Sequence, residues 1–215
     1  MLRAATFRQA VNSGFRQEKM KTIGLTGGIG SGKSTVSRVL EIMEIPVYTA
    51  DTESKKLVNT SPQIRERLIA AFGSQLYKDG ELDKAMLASL IFGNEENLRY
   101  VNSVIHPAVF DDFRHWREQQ IQSSWVVIES AILFESGFNK SVDVTVNVTA
   151  SLEIRIRRIE ERDKASRESI EARINNQMSE EERNRLSDYT IFNDERHALL
   201  PQVENLLNIL AMKKF

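Results

Sequence analysis

Apolar residues along the chain fall into short runs that alternate with longer segments of helical spacing. Five short runs are typical of β-strands, and they cover residues 21–26, 45–48, 124–129, 142–148 and 189–192. Between these runs, apolar residues recur every three or four positions, as they do in amphipathic helices. Strands that alternate with helices predict an α/β fold in three layers, with a mainly parallel five-stranded sheet flanked by helices.

The chain between the second and third predicted strands has helical spacing for roughly 70 residues, which is longer than an ordinary crossover connection. Ser61-Pro62 predicts a helix start, and Gly73 predicts the end of that helix. Pro107 predicts a boundary between two further helices, because a residue before proline disfavours helical backbone angles. We therefore expect a helical subdomain, over about 52–123, that binds a second substrate.

A glycine-rich segment connects the first predicted strand to the first predicted helix. It reads Gly27-Gly28-Ile29-Gly30-Ser31-Gly32-Lys33-Ser34-Thr35, which is the P-loop pattern G-x-x-x-x-G-K-S. Glycines allow the backbone to wrap a phosphate, and the following helix adds the partial positive charge of its N-terminus. We expect Lys33 to reach the β- and γ-phosphates of ATP and the Ser34 hydroxyl to bind Mg²⁺.

A P-loop alone does not define the reaction. None of the ten glycines has an aspartate three residues before it, so the Asp-x-x-Gly element of regulatory GTPases is missing. The segment 139–143 is one residue too long for the guanine-reading Asn-Lys-x-Asp motif, and no Leu-Ser-Gly-Gly signature of transporter ATPases occurs. These exclusions leave a small kinase or an ATP-dependent module that acts on a partner.

A second charged segment has the composition of a kinase lid. From Arg155 to Arg167 the chain carries six basic and three acidic residues. Phosphoryl transfer needs cations over the γ-phosphate, and a lid that closes with ATP can supply them. The same pattern is typical of a solvated helix with salt bridges, and over 151–187 nine basic residues balance nine acidic ones. One or two functional arginines in this segment are the prediction.

Four isolated residues could also carry chemistry. Asp51 follows the second strand, where it could orient an acceptor hydroxyl, accept its proton or bind Mg²⁺ through water, or instead cap a helix that starts at Thr52. Glu129 ends the third strand and could hold the water shell of Mg²⁺ or face solvent. His106 and Glu135 belong to no motif, and a histidine before proline is more often a structural hydrogen-bonding residue.

Composition excludes several other classes. A formal charge of −1 gives no global attraction to nucleic acid or to anionic membranes. The absence of cysteine excludes disulfides, thiolate metal sites and cysteine nucleophiles. No uninterrupted apolar run approaches the roughly 18 residues of a membrane helix. We expect a cytoplasmic protein that binds a small molecule, with neither nucleic acid nor membrane as partner; the sequence does not indicate its oligomeric state.

The first nineteen residues differ from the rest of the chain. They carry four basic residues and one acidic residue, with apolar residues near helical spacing. An organelle import segment, a neutral extension or a start codon assigned too early would each fit this composition. We leave residues 1–19 out of the fold, and organelle import is the alternative to a cytoplasmic location.

Taken in order, the motifs resemble the dephospho-CoA kinase family from about Met20 to Leu210. The matching segments are Ile23 to Thr35, Ala50-Asp51, Ile105-His106-Pro107, Ile132-Leu133-Phe134-Glu135, Arg158, Glu161-Arg162-Asp163, Ser166-Arg167-Glu168, Gln177 and Ile191-Phe192-Asn193. Many kinases share the first segment, whereas the ordered combination is specific. The chain departs from the family pattern at Thr49 and Ala131, where the family usually has an aspartate and a proline.

The resemblance implies transfer of a phosphoryl group from ATP-Mg²⁺ to the 3′-hydroxyl of the ribose of dephospho-CoA, which gives CoA and ADP. It implies catalytic roles for Lys33, for Asp51 as base or hydroxyl orienter, and for Arg158 as the lid arginine. The remaining implied site residues are Arg162 and Asn193 for ATP, His106 and Glu135 for the substrate, and Ser34 with Glu129 for Mg²⁺. The rival functions are a kinase for a nucleoside or sugar acid, and a non-catalytic ATP-binding module.

The same resemblance predicts one P-loop kinase domain over 20–210. Its core would combine 20–51, 124–150 and 188–210. The helical CoA-binding region would cover about 52–123, and the lid about 151–187.

Overall fold

The computed structural model describes residues 20–212 of the chain, so the predictions for residues 1–19 lie outside the described residues. The strands in the described part are β1 (Lys21–Thr26), β2 (Val47–Thr49), β3 (Tyr77–Lys78), β4 (Glu81–Leu82), β5 (Trp125–Glu129), β6 (Val144–Thr149) and β7 (Tyr189–Phe192). The helices there are α1 (Lys33–Ile42), α2 (Ala50–Thr60), α3 (Pro62–Phe72), α4 (Lys84–Ile91), α5 (Glu95–Glu118), α6 (Leu152–Asp163), α7 (Arg167–Asn175), α8 (Glu180–Leu186) and α9 (Leu199–Met212).

Five of the strands form one sheet in the order β2-β5-β1-β6-β7. The central strand β1 pairs in parallel with β5 on one side and with β6 on the other, and β6 pairs in parallel with β7. The register places Leu25 beside Glu129, and Thr26 beside Asn147. The predicted α/β fold with a mainly parallel five-stranded sheet flanked by helices is therefore confirmed.

The core lies around the central strands, which are buried along their whole length. Such strands read as continuous apolar runs because helices cover both faces of a parallel sheet. Val36 and Leu40 of α1 belong to the same apolar cluster as Ile23 and Leu25 of β1. The helix after the glycine-rich segment therefore packs against the strand before that segment.

The chain divides into two compact units. Among the described residues, one unit combines 20–48 with 120–212, and the other is Thr49–Gln119. The second unit is helical apart from the hairpin of β3 and β4, and it has its own apolar cluster, which includes Ile64, Leu68 and Val101. The predicted helical subdomain over about 52–123 falls on this unit.

Two local predictions in the helical unit had different outcomes. The Ser61 hydroxyl accepts a hydrogen bond from the Ile64 N–H, so the predicted helix start at Ser61-Pro62 is confirmed. The predicted boundary at Pro107 is wrong, because α5 is one helix of 24 residues with Pro107 inside it. Val104 and Val109 are buried on either side of the proline, and this packing outweighs the loss of one backbone hydrogen bond.

Within residues 20–212, no helix combines the length and the hydropathy that crossing a bilayer requires.

Candidate active site

The predicted P-loop connects β1 to α1 in the structure. Gly30 and Gly32 have φ angles of 80° and 93°, values that residues with a side chain rarely adopt. Gly32 is also the N-cap of α1 and provides no side chain to cap it. The first N–H groups of α1 therefore lack a capping side chain, and such groups form an anion-binding site together with the helix dipole.

Hydrogen bonds within the loop close it into a compact turn. The Ser31 N–H donates to the Gly28 carbonyl over 3.1 Å, and the Lys33 ammonium donates to the Gly27 carbonyl over 2.8 Å. Ser34 and Thr35, the next two residues, are exposed. The loop thus carries a lysine beside its own backbone and two hydroxyl groups open to a ligand.

The Ile29 peptide groups of the loop are held by two side chains from the predicted lid segment. The Ile29 N–H donates to the Gln177 side-chain oxygen over 2.8 Å. The Ile29 carbonyl accepts a hydrogen bond from Nε of Arg155 over 2.9 Å. Neither residue was among the predicted site residues, although Gln177 is one of the family-like positions.

The Ser31 carbonyl is held by two predicted ATP-binding residues. The Asn193 side-chain amide donates to it over 2.8 Å, and the Arg158 guanidinium donates to it over 3.4 Å. Arg158 also donates to the Asn193 carbonyl over 3.0 Å. The structure therefore brings Arg158 and Asn193 together at the P-loop.

Arg162, the other predicted ATP-binding arginine, lies elsewhere on α6. It is 60% exposed and donates to the neighbouring Asp163 over 2.6 Å. Asp163 also accepts from Arg173, and these two arginines hold the pKa of the Asp163 carboxyl well below its usual range. In the described chain, the hydrogen-bond partner of the Arg162 side chain is thus a carboxylate rather than the P-loop.

An ion pair that includes the buried Arg155 lies next to the loop. Arg155 is buried and its guanidinium lies 3.3 Å from the Glu180 carboxylate, which also accepts from the buried Arg183 over 3.1 Å. Burial lowers the pKa of the Arg155 guanidinium, the Glu180 carboxylate opposes that shift, and Arg183 adds to it. An arginine nevertheless stays charged at neutral pH, so a cation lies against the loop backbone.

Glu129 ends β5 and is buried, so the interpretation of a solvent-facing strand end is wrong. It accepts a hydrogen bond from the Ser37 hydroxyl over 3.3 Å, and Ser37 lies one turn after Ser34 on α1. Carboxylate and hydroxyl oxygens are the ligand types that Mg²⁺ prefers. Among the described residues no cluster of three or more acidic or histidine side chains could hold a metal by itself.

Glu135 contacts the predicted lid segment rather than the loop. Its carboxylate accepts a hydrogen bond from the Met178 N–H over 3.3 Å. On either side of Ala131, where the family usually has a proline, the Ser130 hydroxyl accepts a hydrogen bond from the Ile132 N–H over 3.3 Å. A serine turn thus shapes the chain between Glu129 and Glu135.

Asp51 and His106 belong to the helical unit, whereas the P-loop belongs to the other unit. Asp51 lies in the first turn of α2 and is exposed. The helix starts at Ala50 with Thr49 as its N-cap, so the interpretation of Asp51 as a cap of a helix from Thr52 is wrong. His106 is half-buried in α5, and burial lowers the pKa of its imidazole.

Sequence reasoning missed Arg155 as a functional candidate. A signal was present, because Arg155 precedes Arg158 by three positions and Ile159 by four, which places all three on one face of α6. Ile156 and Ile159 are buried in the core of the lid segment, so this face turns inward. The balanced charge of the segment gave no indication that one of its arginines is buried and paired with a carboxylate.

Comparisons with known proteins agree with these observations. Residues 21–198 match the family model described as CoaE, dephospho-CoA kinase. The dephospho-CoA kinase of Bacteroides fragilis is 45% identical over 191 residues, which cover 89% of this chain and 93% of that protein. The enzyme of the same name from Porphyromonas gingivalis is 42% identical, over 91% of this chain and 96% of its own length.

Solved structures show the same fold. A crystal structure of a Thermus thermophilus protein is 31% identical, covers 92% of this chain and all of its own, and has a TM-score of 0.78. Shikimate kinase from Acinetobacter baumannii shares the fold alone, with 16% identity over 90% of this chain and 94% of its own, and a TM-score of 0.51. With a family match that spans most of the chain around an intact P-loop, the protein belongs to the dephospho-CoA kinase family and is a P-loop kinase that uses ATP.

Proposed function

We propose that the protein transfers the γ-phosphoryl group of ATP to the 3′-hydroxyl of the ribose of dephospho-CoA and releases CoA and ADP. This reaction is the last step of coenzyme A synthesis. The observation that carries the proposal is the family match over residues 21–198, which includes the P-loop and its Arg158 and Asn193 contacts. Its chemistry needs a site that holds a triphosphate and a carboxylate that handles a hydroxyl proton.

The P-loop would hold the β- and γ-phosphates. The uncapped N-terminus of α1 offers N–H groups to an anion, and Lys33 adds a mobile charge that leaves its Gly27 contact for a phosphate. Arg158 is half-buried beside the loop, where it can stabilise charge on the transferring group. Arg162 is assigned a weaker role, as a residue that contacts ATP only if the lid segment moves.

The oxygen ligands at the loop fit Mg²⁺. The exposed Ser34 hydroxyl would bind the ion, and the buried Glu129 carboxylate would accept hydrogen bonds from its water shell. When bound, Mg²⁺ neutralises the charge that the phosphate oxygens carry. Ser37 would keep the Glu129 carboxylate in place through its hydroxyl hydrogen bond.

Asp51 would act on the acceptor. Its exposed carboxylate would accept the proton of the 3′-hydroxyl, or orient that hydroxyl, while the oxygen forms a bond to the γ-phosphorus. The bond between that phosphorus and the β–γ bridging oxygen breaks, and ADP leaves with the electron pair. His106 and Glu135 would contribute to substrate binding.

The test is an assay of ADP release with ATP-Mg²⁺, in the presence and absence of dephospho-CoA, with mass spectrometry of the acceptor. The expected result is ADP release that depends on dephospho-CoA, with one phosphate added to the acceptor. Release with a nucleoside or sugar acid instead would establish another hydroxyl substrate. ATP binding without ADP release for every acceptor would establish a binding module and overturn the proposal.

A further inference from the structure

Arg155 is a buried cation that contacts the P-loop backbone but carries no role in the proposed reaction so far. We propose that Arg155 is a positioning residue for the phosphate loop: with Gln177 it sets the direction in which the loop amides point. The inference rests on the proposed kinase function, because a fixed amide array matters only when the loop binds the phosphates of ATP. Three sets of observations support it.

The first is the geometry of the Ile29 peptides. Every described peptide bond is trans, and the carbonyl and N–H of a trans peptide point in opposite directions. Because the Ile29 carbonyl is held by Arg155, the Gly30 N–H of the same peptide points away from Arg155. A carbonyl turned the other way would face the phosphate with its negative end, so this contact keeps the loop in an anion-binding state.

The second observation concerns the peptide group that precedes the Ile29 Cα. The Ile29 N–H donates to Gln177, so the Gly28 carbonyl of that peptide points the other way and accepts the Ser31 N–H. Both peptides that flank the Ile29 Cα are therefore fixed by partners more than 120 residues away along the chain. The loop does not fix these two peptides by its own hydrogen bonds alone.

The third is charge. A Cβ atom added to Gly28 would overlap the Arg155 guanidinium, so the cation is in direct contact with the loop backbone. Only the Glu180 carboxylate neutralises it among its described hydrogen-bond partners, and Glu180 is shared with the buried Arg183. Two buried cations that share one carboxylate leave net positive charge next to the loop backbone.

The same contacts connect the loop to the end of the predicted lid segment. Gln177 follows α7, and Glu180 with Arg183 lies in α8. Arg183 also donates to the Met178 carbonyl over 2.7 Å. The segment 177–183 and the P-loop are thus joined through Arg155, which makes the loop geometry dependent on the position of that segment.

The test compares Arg155→Gln with the matched control Arg173→Gln, an exposed arginine of α7 that pairs with Asp163. The full chain is used, the dissociation constant of ADP is measured by calorimetry, and the KM values for ATP and dephospho-CoA are measured by ADP release. Arg155→Gln is expected to raise the ADP dissociation constant and the KM for ATP about tenfold, since a charge-assisted hydrogen bond is lost. The KM for dephospho-CoA should stay within about twofold, and the control should match the wild type.

A conservative variant separates position from charge. Arg155→Lys keeps the cation but cannot donate in two directions from a planar group, so it should recover only part of the ADP affinity. Full recovery would show that charge alone matters and would overturn the positioning role. An unchanged ADP dissociation constant in Arg155→Gln, with only a lower melting temperature, would likewise overturn it.

The design keeps folding and function apart. In Arg155→Gln the partly buried Glu180 carboxylate retains Arg183 as its partner, so it does not lose its charge pairing. If that variant fails to fold, Gln177→Ala removes the other contact to Ile29 and should weaken ADP binding by about threefold to tenfold; no weakening would overturn the inference. A wild type that binds ADP but leaves dephospho-CoA unmodified would reject the proposed function, while the ADP measurements would still decide the role of Arg155.

Discussion

The helices α1 and α2 each follow a strand of the main sheet, α1 after the glycine-rich loop and α2 directly, and neither has a side-chain cap. Their first turns nevertheless differ in charge. The first turn of α1 contains no acidic residue, whereas that of α2 contains Asp51 and Glu53. Because a helix N-terminus favours negative charge, α1 leaves its dipole for an external anion while α2 supplies its own.

The surroundings of the two first turns differ in the same direction. The loop before α1 is held by side chains from distant parts of the chain, Arg155, Gln177, Arg158 and Asn193. Asp51 is exposed in the first turn of α2. The loop before α1 is thus held by side-chain hydrogen bonds, whereas the Asp51 carboxylate, for which we propose a role on the acceptor, is open to solvent.

Lys33→Ala should break the α1 side of this comparison with the largest effect. Loss of the only lysine in the loop should lower kcat about 10³-fold with any acceptor, because the positive charge that stabilises the β- and γ-phosphates is removed. The measurement is ADP release at saturating ATP and dephospho-CoA. Lys84→Ala, at the exposed start of α4, is the control, and a loss of less than about tenfold in Lys33→Ala would contradict the assigned role.

Asp51→Asn should break the α2 side without affecting the α1 side. Removal of the base or hydroxyl orienter should lower kcat about 10²-fold, while the ADP dissociation constant stays within about twofold. Glu53→Gln is the matched control, because Glu53 lies in the same turn and its exposed pair with Lys56 contributes little. Wild-type kcat in Asp51→Asn, or equal losses in both variants, would remove Asp51 from the mechanism.

A pair of substitutions in α6 should sharpen the description of the ATP side. Arg158→Met should lower kcat about 30-fold, because Arg158 contacts the Ser31 carbonyl and can stabilise the transferring group. Arg162→Met should cost less, because the Arg162 guanidinium is exposed and pairs with Asp163. The two variants are compared by kcat and by the KM for ATP, and equal losses would place both arginines on the nucleotide.

The fold could be predicted from the sequence because its determinants are local and periodic. Fully apolar strands and helical spacing indicate the parallel sheet, and the P-loop pattern locates the nucleotide site within it. The prediction failed at Pro107, where buried residues on both sides keep a helix that local propensity would end. Lys78-Asp79-Gly80 predicts a turn, and Asp79 and Gly80 there both have positive φ angles, as a two-residue hairpin turn requires; the strands β3 and β4 on either side of it were missed.

Site residues could be predicted only where they lie in a contiguous motif or in a segment that resembles the family. Lys33, Ser34 and Arg158 belong to such segments. Arg155 does not, and its importance depends on Ile29, which is 126 positions away, and on a carboxylate in another helix. Spacing within one helix shows which side chains share a face, but it does not show which buried backbone group that face meets.

The smallest expected effect concerns the segment that carries Asn193 to the loop. Asp194 follows Asn193, and hydrogen bonds from the His197 and Arg196 N–H groups and from the His197 ring lower the pKa of its carboxyl to about 2. A carboxyl whose pKa is lower in the folded state stabilises the protein above its ordinary pKa near 4. That contribution should vanish as the pH falls through about 2, when the folded carboxyl is protonated as well.

The wild type should therefore melt about 2 °C above Asp194→Asn at pH 6, and this difference in melting temperature should disappear between pH 4 and pH 2. The melting temperatures of both proteins across this range are the measurement; a gap that persists unchanged at pH 2 would show that the charge of Asp194 does not stabilise this turn.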